Sequence, residues 1–129
     1  MITGIFTCLI TLFLTTNAIA VKIPKTDEIK LLIVDGMSNH DWQRTTQAII
    51  HILNEHKGFK IDVSTSPADN DKVLTWRPGF LAYDVVLLNF NDHDKPVNWS
   101  AETQHNLEKF VSSGKGLYIF HSANNGFVN

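Results

Sequence analysis

The sequence predicts a doubly wound α/β domain, in which an open parallel sheet carries helices on both faces. Four apolar runs of strand length alternate along the chain with segments of helical periodicity. Two of these runs, Lys30–Asp35 and Asp84–Phe90, are rich in consecutive aliphatic residues, which is typical of strands buried on both faces. Right-handed crossovers place the carboxyl ends of such strands at one edge of the sheet, so a ligand site is expected there.

The first half of the domain contains two predicted strands and a long helix. The strands are Lys30–Asp35, expected at the centre of the sheet, and Phe59–Ser64. Apolar residues recur at helical spacing within 41–57, which predicts a helix with Asp41 as an adequate N-cap. Gly58 is predicted to end that helix as its left-handed C′ residue.

The second half contributes the strands Asp84–Phe90 and Gly116–Phe120 with a helix between them. Ser100 is a good N-cap, and Gly114 is expected to end this helix before the last strand. Residues 67–82 are ambiguous, with a short helix possible over Asp69–Thr75 and a turn at 77–79.

Residues 1–20 predict a signal peptide. They carry no charge, contain an apolar run over 5–14, and place Ala18 and Ala20 at the −3 and −1 positions of a cut after Ala20. A membrane anchor is the alternative, but the run is short for a bilayer core. We therefore expect a secreted or periplasmic domain over 21–129, with no membrane anchoring after cleavage.

Composition excludes several functional classes. A formal net charge of −2 and the lack of a basic run give no reason to expect nucleic-acid binding. The single cysteine, Cys8, lies inside the predicted signal peptide. The mature domain therefore has no disulfide, no thiolate nucleophile and no cysteine-based zinc site.

Three segments follow predicted strands at the ligand edge, namely 36–42, 89–99 and 121–127. His121 is the strongest candidate, because the turn after a strand in such folds presents one side chain into the crevice, and imidazole is a general acid or base at neutral pH. A buried histidine satisfied by backbone is the alternative. His40 could equally be a loop residue beside the helix cap, and residues 91–94 are interpreted as a solvated loop rather than a metal site.

These motifs resemble the N-terminal part of the ThuA-like (trehalose-utilisation) family, within the class I glutamine amidotransferase-like superfamily of flavodoxin-like sheets. The matching stretches are LLIVDG with His40 and Trp42, then YDVVLLN at 83–89, then LEKFVSSGKGLYIFHSA with a phenylalanine, from 107 to 127. The resemblance implies that His40 and His121 line the pocket with Asn89 beside them. The superfamily's elbow cysteine is replaced by His121, so glutamine hydrolysis is not implied.

The function expected from this resemblance is sugar processing, of trehalose or keto-sugar type, by a secreted enzyme that uses His121 and His40. Trp42, Asn89 and Asn124 are the predicted contacts to a small carbohydrate substrate. No cofactor is specified, although a divalent metal ion held by His40 and His121 would suit the same edge. We also expect the two imidazoles to approach each other, since each follows a neighbouring parallel strand.

Two other interpretations remain open. One is a non-catalytic carbohydrate-binding or interaction domain on the same scaffold, which the lack of a thiol or serine nucleophile keeps plausible. The other is a truncated product without independent activity. ThuA-like proteins continue well past the elbow, whereas this sequence stops at Asn129, so a sheet truncated after the fourth strand is expected.

Overall fold

The computed structural model describes residues 28–126, and these form an α/β fold with one all-parallel sheet of four strands in the order β2-β1-β3-β4. The strands are β1 (Ile29–Asp35), β2 (Phe59–Thr65), β3 (Val85–Leu88) and β4 (Gly116–Ile119). The predicted fold class and the interior position of the first strand are confirmed. The predicted signal peptide, and Phe127 of the resemblance, lie outside the described residues.

Three α-helices and two short 3-10 segments connect and cover the strands. The helices are α1 (Trp42–Glu55), α2 (Asn70–Val73) and α3 (Ala101–Ser112), and the 3-10 segments are Phe80–Ala82 and His121–Asn125. Within residues 28–126, no helix is long and apolar enough to cross a membrane.

The strand β3 ends two residues earlier than the sequence predicts. The amide of Asn89 still donates to the carbonyl of Val34 at 2.8 Å, but the next such bond, from Asn91 to Met37 at 2.8 Å, already joins two loops. Residues 86–90 are all buried, so burial continues past the end of the ladder. Hydrophobicity therefore marked the buried segment rather than the hydrogen-bonded strand.

The end of α1 differs from the prediction by one residue. Lys57, with φ 49°, is the left-handed residue after the helix, whereas Gly58 was expected to take that conformation. Gly58 instead leads directly into β2, and its carbonyl accepts a hydrogen bond from the amide of Ile29 at 2.9 Å. Sheet pairing fixes the backbone at Gly58, so the left-handed turn falls on the preceding lysine.

Both predicted ends of α3 are confirmed. The Ser100 hydroxyl accepts a hydrogen bond from the amide of Thr103 at 3.2 Å. Gly114, with φ 84°, follows the last turn in the left-handed conformation that favours glycine. The ambiguous region contains the shorter helix α2, which Asp69 caps through its side chain. Backbone hydrogen bonds from Lys72 and Asp71 lower the pKa of Asp69.

The two faces of the sheet are covered to different extents. We call one the closed face: it carries Leu32, Val34, Val86 and Leu88, and packs against a cluster that includes Phe80, Trp99 and Phe110. We call the other the open face: it carries Leu31, Ile33, Val85 and Leu87, and α1 packs on its β1 and β2 half. Beside α1, an apolar groove of about 370 Å³ is open to solvent; it is lined by Leu31, Ile49, Ile52, Leu53, Phe59, Val85, Leu87, Tyr118 and Phe120.

Candidate functional site

The loop after β1 turns sharply at Gly36, which has φ 126°. A Cβ at this position would lie 2.3 Å from the carbonyl oxygen of Ser66, so the two backbones approach more closely than any side chain allows. The amide of Ser66 donates to the carbonyl of Asp35 at 2.7 Å, which holds the loop after β2 against the loop after β1. The first candidate segment therefore starts from a fixed backbone.

His40 and His121 meet at the carboxyl edge of the sheet. Their ring centroids lie 4.9 Å apart and the ring planes are inclined by 42°. Both residues are exposed to solvent. The expected approach of the two imidazoles is confirmed, but its premise is wrong, because β3 lies between β1 and β4 and the two histidines therefore follow strands that are not neighbours. The alternative of a histidine buried in the core does not hold for His121, which is exposed.

His121 occupies a strained turn. Its φ of 46° lies in the left-handed region, which costs a residue other than glycine about 1 to 3 kcal/mol. The turn is held on both sides, because the amide of Phe120 donates to Leu88 at 2.9 Å and the amide of Ala123 donates to Phe120 at 3.0 Å. Ala123 is buried, which anchors the 3-10 segment on the core. The structure thus has the sharp elbow that the sequence predicts after β4.

His40 is fixed by the turn that leads into α1. The Ser38 hydroxyl accepts a hydrogen bond from the His40 amide at 3.1 Å, and the His40 carbonyl accepts one from the Trp42 amide at 2.9 Å. The helix cap is Asp41, as predicted, whose carboxylate accepts from the amide of Arg44 at 3.0 Å. The His40 ring has no capping role and is free to face His121.

A buried polar network joins the carboxyl ends of β1, β2 and β3 to the start of α1. The amide nitrogen of the Asn89 side chain donates to the Trp42 carbonyl at 3.2 Å and to the Thr46 hydroxyl at 3.0 Å. The Asp35 carboxylate accepts from the hydroxyls of Thr46 at 2.8 Å and Thr65 at 2.7 Å. Asn89 thereby ties β3 to the start of α1, and its predicted contact with substrate stays a prediction.

Sequence reasoning missed Asp35 as part of this network. The residue is 2% exposed, although it closes an aliphatic strand and is charged. A carboxylate in that position could have served as a signal, because a buried charge must be paired or hydrogen-bonded. Its role here is to position α1, and through α1 the backbone that carries His40.

The interpretation of residues 91–94 as a solvated loop is wrong for its first half. Asn91 and Asp92 are buried, whereas His93 and Asp94 are exposed. The Asn91 side chain accepts from the amide of His93 at 2.8 Å, and Asp92 accepts from the amide of Val97 at 3.1 Å. The two buried side chains satisfy backbone donors that the irregular loop leaves without ladder partners.

The other predicted contacts lie beside the histidine pair rather than in it. Trp42 is half-buried and helps to line a pocket of about 240 Å³, together with Gly36, Met37, Ser38, Asn39, Asn91, Asp94 and Lys95. Asn124 is exposed on the last 3-10 segment. Among residues 28–126, no group of three or more His, Cys, Asp or Glu side chains is arranged to hold a metal ion.

This fold, with loops converging at the carboxyl edge of an all-parallel sheet, defines a flavodoxin-like α/β protein. It is similar to a crystal structure from Parabacteroides merdae that is described as ThuA-like, with 30% sequence identity and a TM-score of 0.71. The match covers 78% of this chain and 35% of that one, so this chain spans about a third of that protein's length. No family model and no curated protein matches the chain.

Proposed function

We propose that this chain is a ThuA-like protein that handles a small carbohydrate, of trehalose or keto-sugar type, at the His40–His121 pair. The observation that carries the proposal is the 4.9 Å separation of the two exposed rings at the ligand edge of the sheet. The ThuA-like solved structure supports the family assignment, and the motif resemblance supports the class of substrate.

The geometry suits chemistry on one small ligand. Two rings this close can both reach the carbonyl group of a keto-sugar and the hydroxyl beside it. Imidazoles can exchange protons with such groups at neutral pH, or they can hold a divalent ion that polarises the carbonyl. Either route requires both rings to act on the same substrate.

Charge around the site favours a neutral sugar over a sugar phosphate. The pocket beside the histidines is lined by one cation, Lys95, and one anion, Asp94, whose formal charges cancel. Phosphate sites in proteins typically combine a helix N-terminus or glycine-rich loop with several cationic groups. An uncharged carbohydrate needs only polar contacts, which this edge supplies.

Turnover assays on histidine variants test the proposal. The purified protein is incubated with trehalose and a panel of keto-disaccharides, and products are analysed by mass spectrometry. We replace His121 by Asn, because asparagine tolerates the left-handed backbone at φ 46° better than most residues. His40→Gln removes the other ring. His51→Gln is the matched control, because His51 is an exposed histidine on α1 that lies 3.6 Å from Glu55.

We expect His121→Asn and His40→Gln to lower turnover about a hundredfold or more with little change in melting temperature, and His51→Gln to keep full activity. Full activity in His121→Asn would overturn the proposal. Carbohydrate binding by the wild-type protein without any product would replace it with the non-catalytic binding domain.

Export is proposed on the sequence alone. Ala18 and Ala20 fit the small −3 and −1 pockets of a signal peptidase, so the mature protein should begin at Val21. Mass spectrometry of the exported protein should find that N-terminus, and a secreted form that retains Met1 would contradict it.

A further inference from the structure

We infer that His40 and His121 together bind one divalent transition-metal ion of the kind that prefers imidazole ligands, and Zn²⁺ is the probe for this site. This inference rests on the proposed function, because it assigns the chemistry of the same two side chains. The metal would complete a site that the protein leaves open toward solvent, where a substrate oxygen can enter.

The ring separation agrees with a shared metal. A histidine nitrogen lies about 2.1 Å from zinc, which puts the ring centroid about 3.2 Å from the ion. Two rings at a tetrahedral angle around one zinc ion then have centroids about 5 Å apart. The observed separation of His40 and His121 is 4.9 Å. Tilted rings, here inclined by 42°, are compatible with nitrogens that point to one ion.

Within the described part of the chain, neither imidazole makes a hydrogen bond or ion pair, and the two rings do not hydrogen-bond to each other. The other exposed histidines of α1 and α3 behave differently. His51 lies 3.6 Å from Glu55, and His105 lies 3.8 Å from Glu108. Two exposed imidazoles whose centroids lie only 4.9 Å apart are suited to sharing an added electrophile such as a metal ion.

The two ligands are held by backbone rather than by their own side-chain contacts. His121 is fixed at φ 46° between β4 and the buried Ala123. His40 is fixed by Ser38 on one side and by the start of α1 on the other. Because the backbones are ordered before binding, little conformational entropy opposes capture of the ion.

The donor set determines which metals are expected. Imidazole suits zinc, copper, nickel and iron, whereas Mg²⁺ and Ca²⁺ prefer oxygen ligands. Two protein ligands are one fewer than the three that hold catalytic zinc, and they leave two positions of a tetrahedral ion free for substrate or water. A keto-sugar could place its carbonyl oxygen and a neighbouring hydroxyl in those positions.

The test is a titration of metal-stripped protein with Zn²⁺ in the absence of any sugar. Isothermal titration calorimetry measures the binding. We expect one ion per chain, no detectable heat with Mg²⁺, and binding that weakens as the pH falls because imidazole must be neutral to coordinate. His121→Asn and His40→Gln should each weaken binding at least about tenfold, the smallest loss typical when a metal site loses even an outer contact.

His51→Gln and His105→Gln are the matched controls, since each removes one exposed histidine next to a carboxylate elsewhere on the surface. Both should bind Zn²⁺ like the wild-type protein. Melting curves of all four variants confirm that each is folded. No zinc binding by the wild-type protein, or binding that survives both His121→Asn and His40→Gln, would overturn the inference.

Failure of the metal site and failure of the proposed function give different results. Zinc binding that depends on both histidines, without turnover of any sugar, would support the metal site and contradict the carbohydrate chemistry. Turnover that depends on both histidines but persists in metal-stripped protein with a chelator present would overturn the metal site and support the carbohydrate chemistry.

Discussion

The closed and open faces of the sheet have nearly the same strand composition but different surroundings. On the closed face, Phe80, Trp99 and Phe110 are almost completely excluded from water. On the open face, α1 covers only the β1 and β2 half, and Tyr118 at the groove remains 56% exposed. An aliphatic strand pattern therefore predicts that both faces can be buried, but it does not show how far each is covered.

The comparison also explains where the candidate site is. Helix α1, which follows His40, packs on the open face, whereas the loop after β3 contributes Phe90, Val97 and Trp99 to the cluster on the closed face. The histidine pair stands at the edge between them. Its geometry depends on the central strands and the polar network, which are buried, and not on the exposed half of the open face.

The largest stability difference should separate the two faces directly. Phe110→Ala removes a fully buried ring from the closed face and should cost about 3 to 5 kcal/mol of unfolding free energy. Tyr118→Ala, the control on the open face, should change it by less than about 0.5 kcal/mol. Chemical denaturation measures both. Equal losses would mean that Tyr118 is covered in solution and that the two faces do not differ.

A smaller loss should follow from breaking the polar network that joins β1, β3 and α1. Thr46→Val removes the hydroxyl that donates to Asp35 and accepts from Asn89, so it should cost about 1 to 3 kcal/mol.

Thr45→Val is the matched control for that substitution, since its hydroxyl donates only to the Asp41 carbonyl near the exposed start of α1. It should cost less than about 1 kcal/mol. If the two valine variants unfold at the same denaturant concentration, the network does not anchor α1.

The smallest effect on stability is expected in the groove. Ile52, on the α1 side, is 55% exposed, and Ile52→Lys should leave the unfolding free energy within about 0.5 kcal/mol while raising the concentration at which the protein stays soluble. Light scattering and denaturation of the two proteins measure this. A loss above about 1 kcal/mol would show that the groove is filled in solution.

Local sequence patterns predicted most of the architecture. Alternating apolar runs predicted the parallel sheet, and Ser100 and Gly114 predicted both ends of α3, because caps depend on nearby residues. The prediction at Gly58 was wrong because pairing with the distant Ile29 fixed the backbone there. Long-range hydrogen bonds of that kind cannot be inferred from a local pattern.

The candidate site was predicted in part. The topology rule brought His40 and His121 to one edge, and their approach is confirmed. The buried role of Asp92 and the structural bonds of Asn89 were not predictable, because a polar residue in a loop gives no sign of whether it satisfies backbone donors or faces solvent. Residue type suggested substrate contact at Asn89, but the fold uses this side chain for a structural hydrogen bond to the backbone.

The central claim is that the two imidazoles act on one ligand as a unit, and a double-substitution cycle tests it most directly. The measurement is kcat/KM of wild-type protein, His40→Gln, His121→Asn and the double variant on the substrate that the wild-type protein turns over. Residues that act together are strongly non-additive, so the double variant should lose no more activity than the worse single variant. Losses that multiply would mean that the rings act independently, despite centroids only 4.9 Å apart, and would contradict the account.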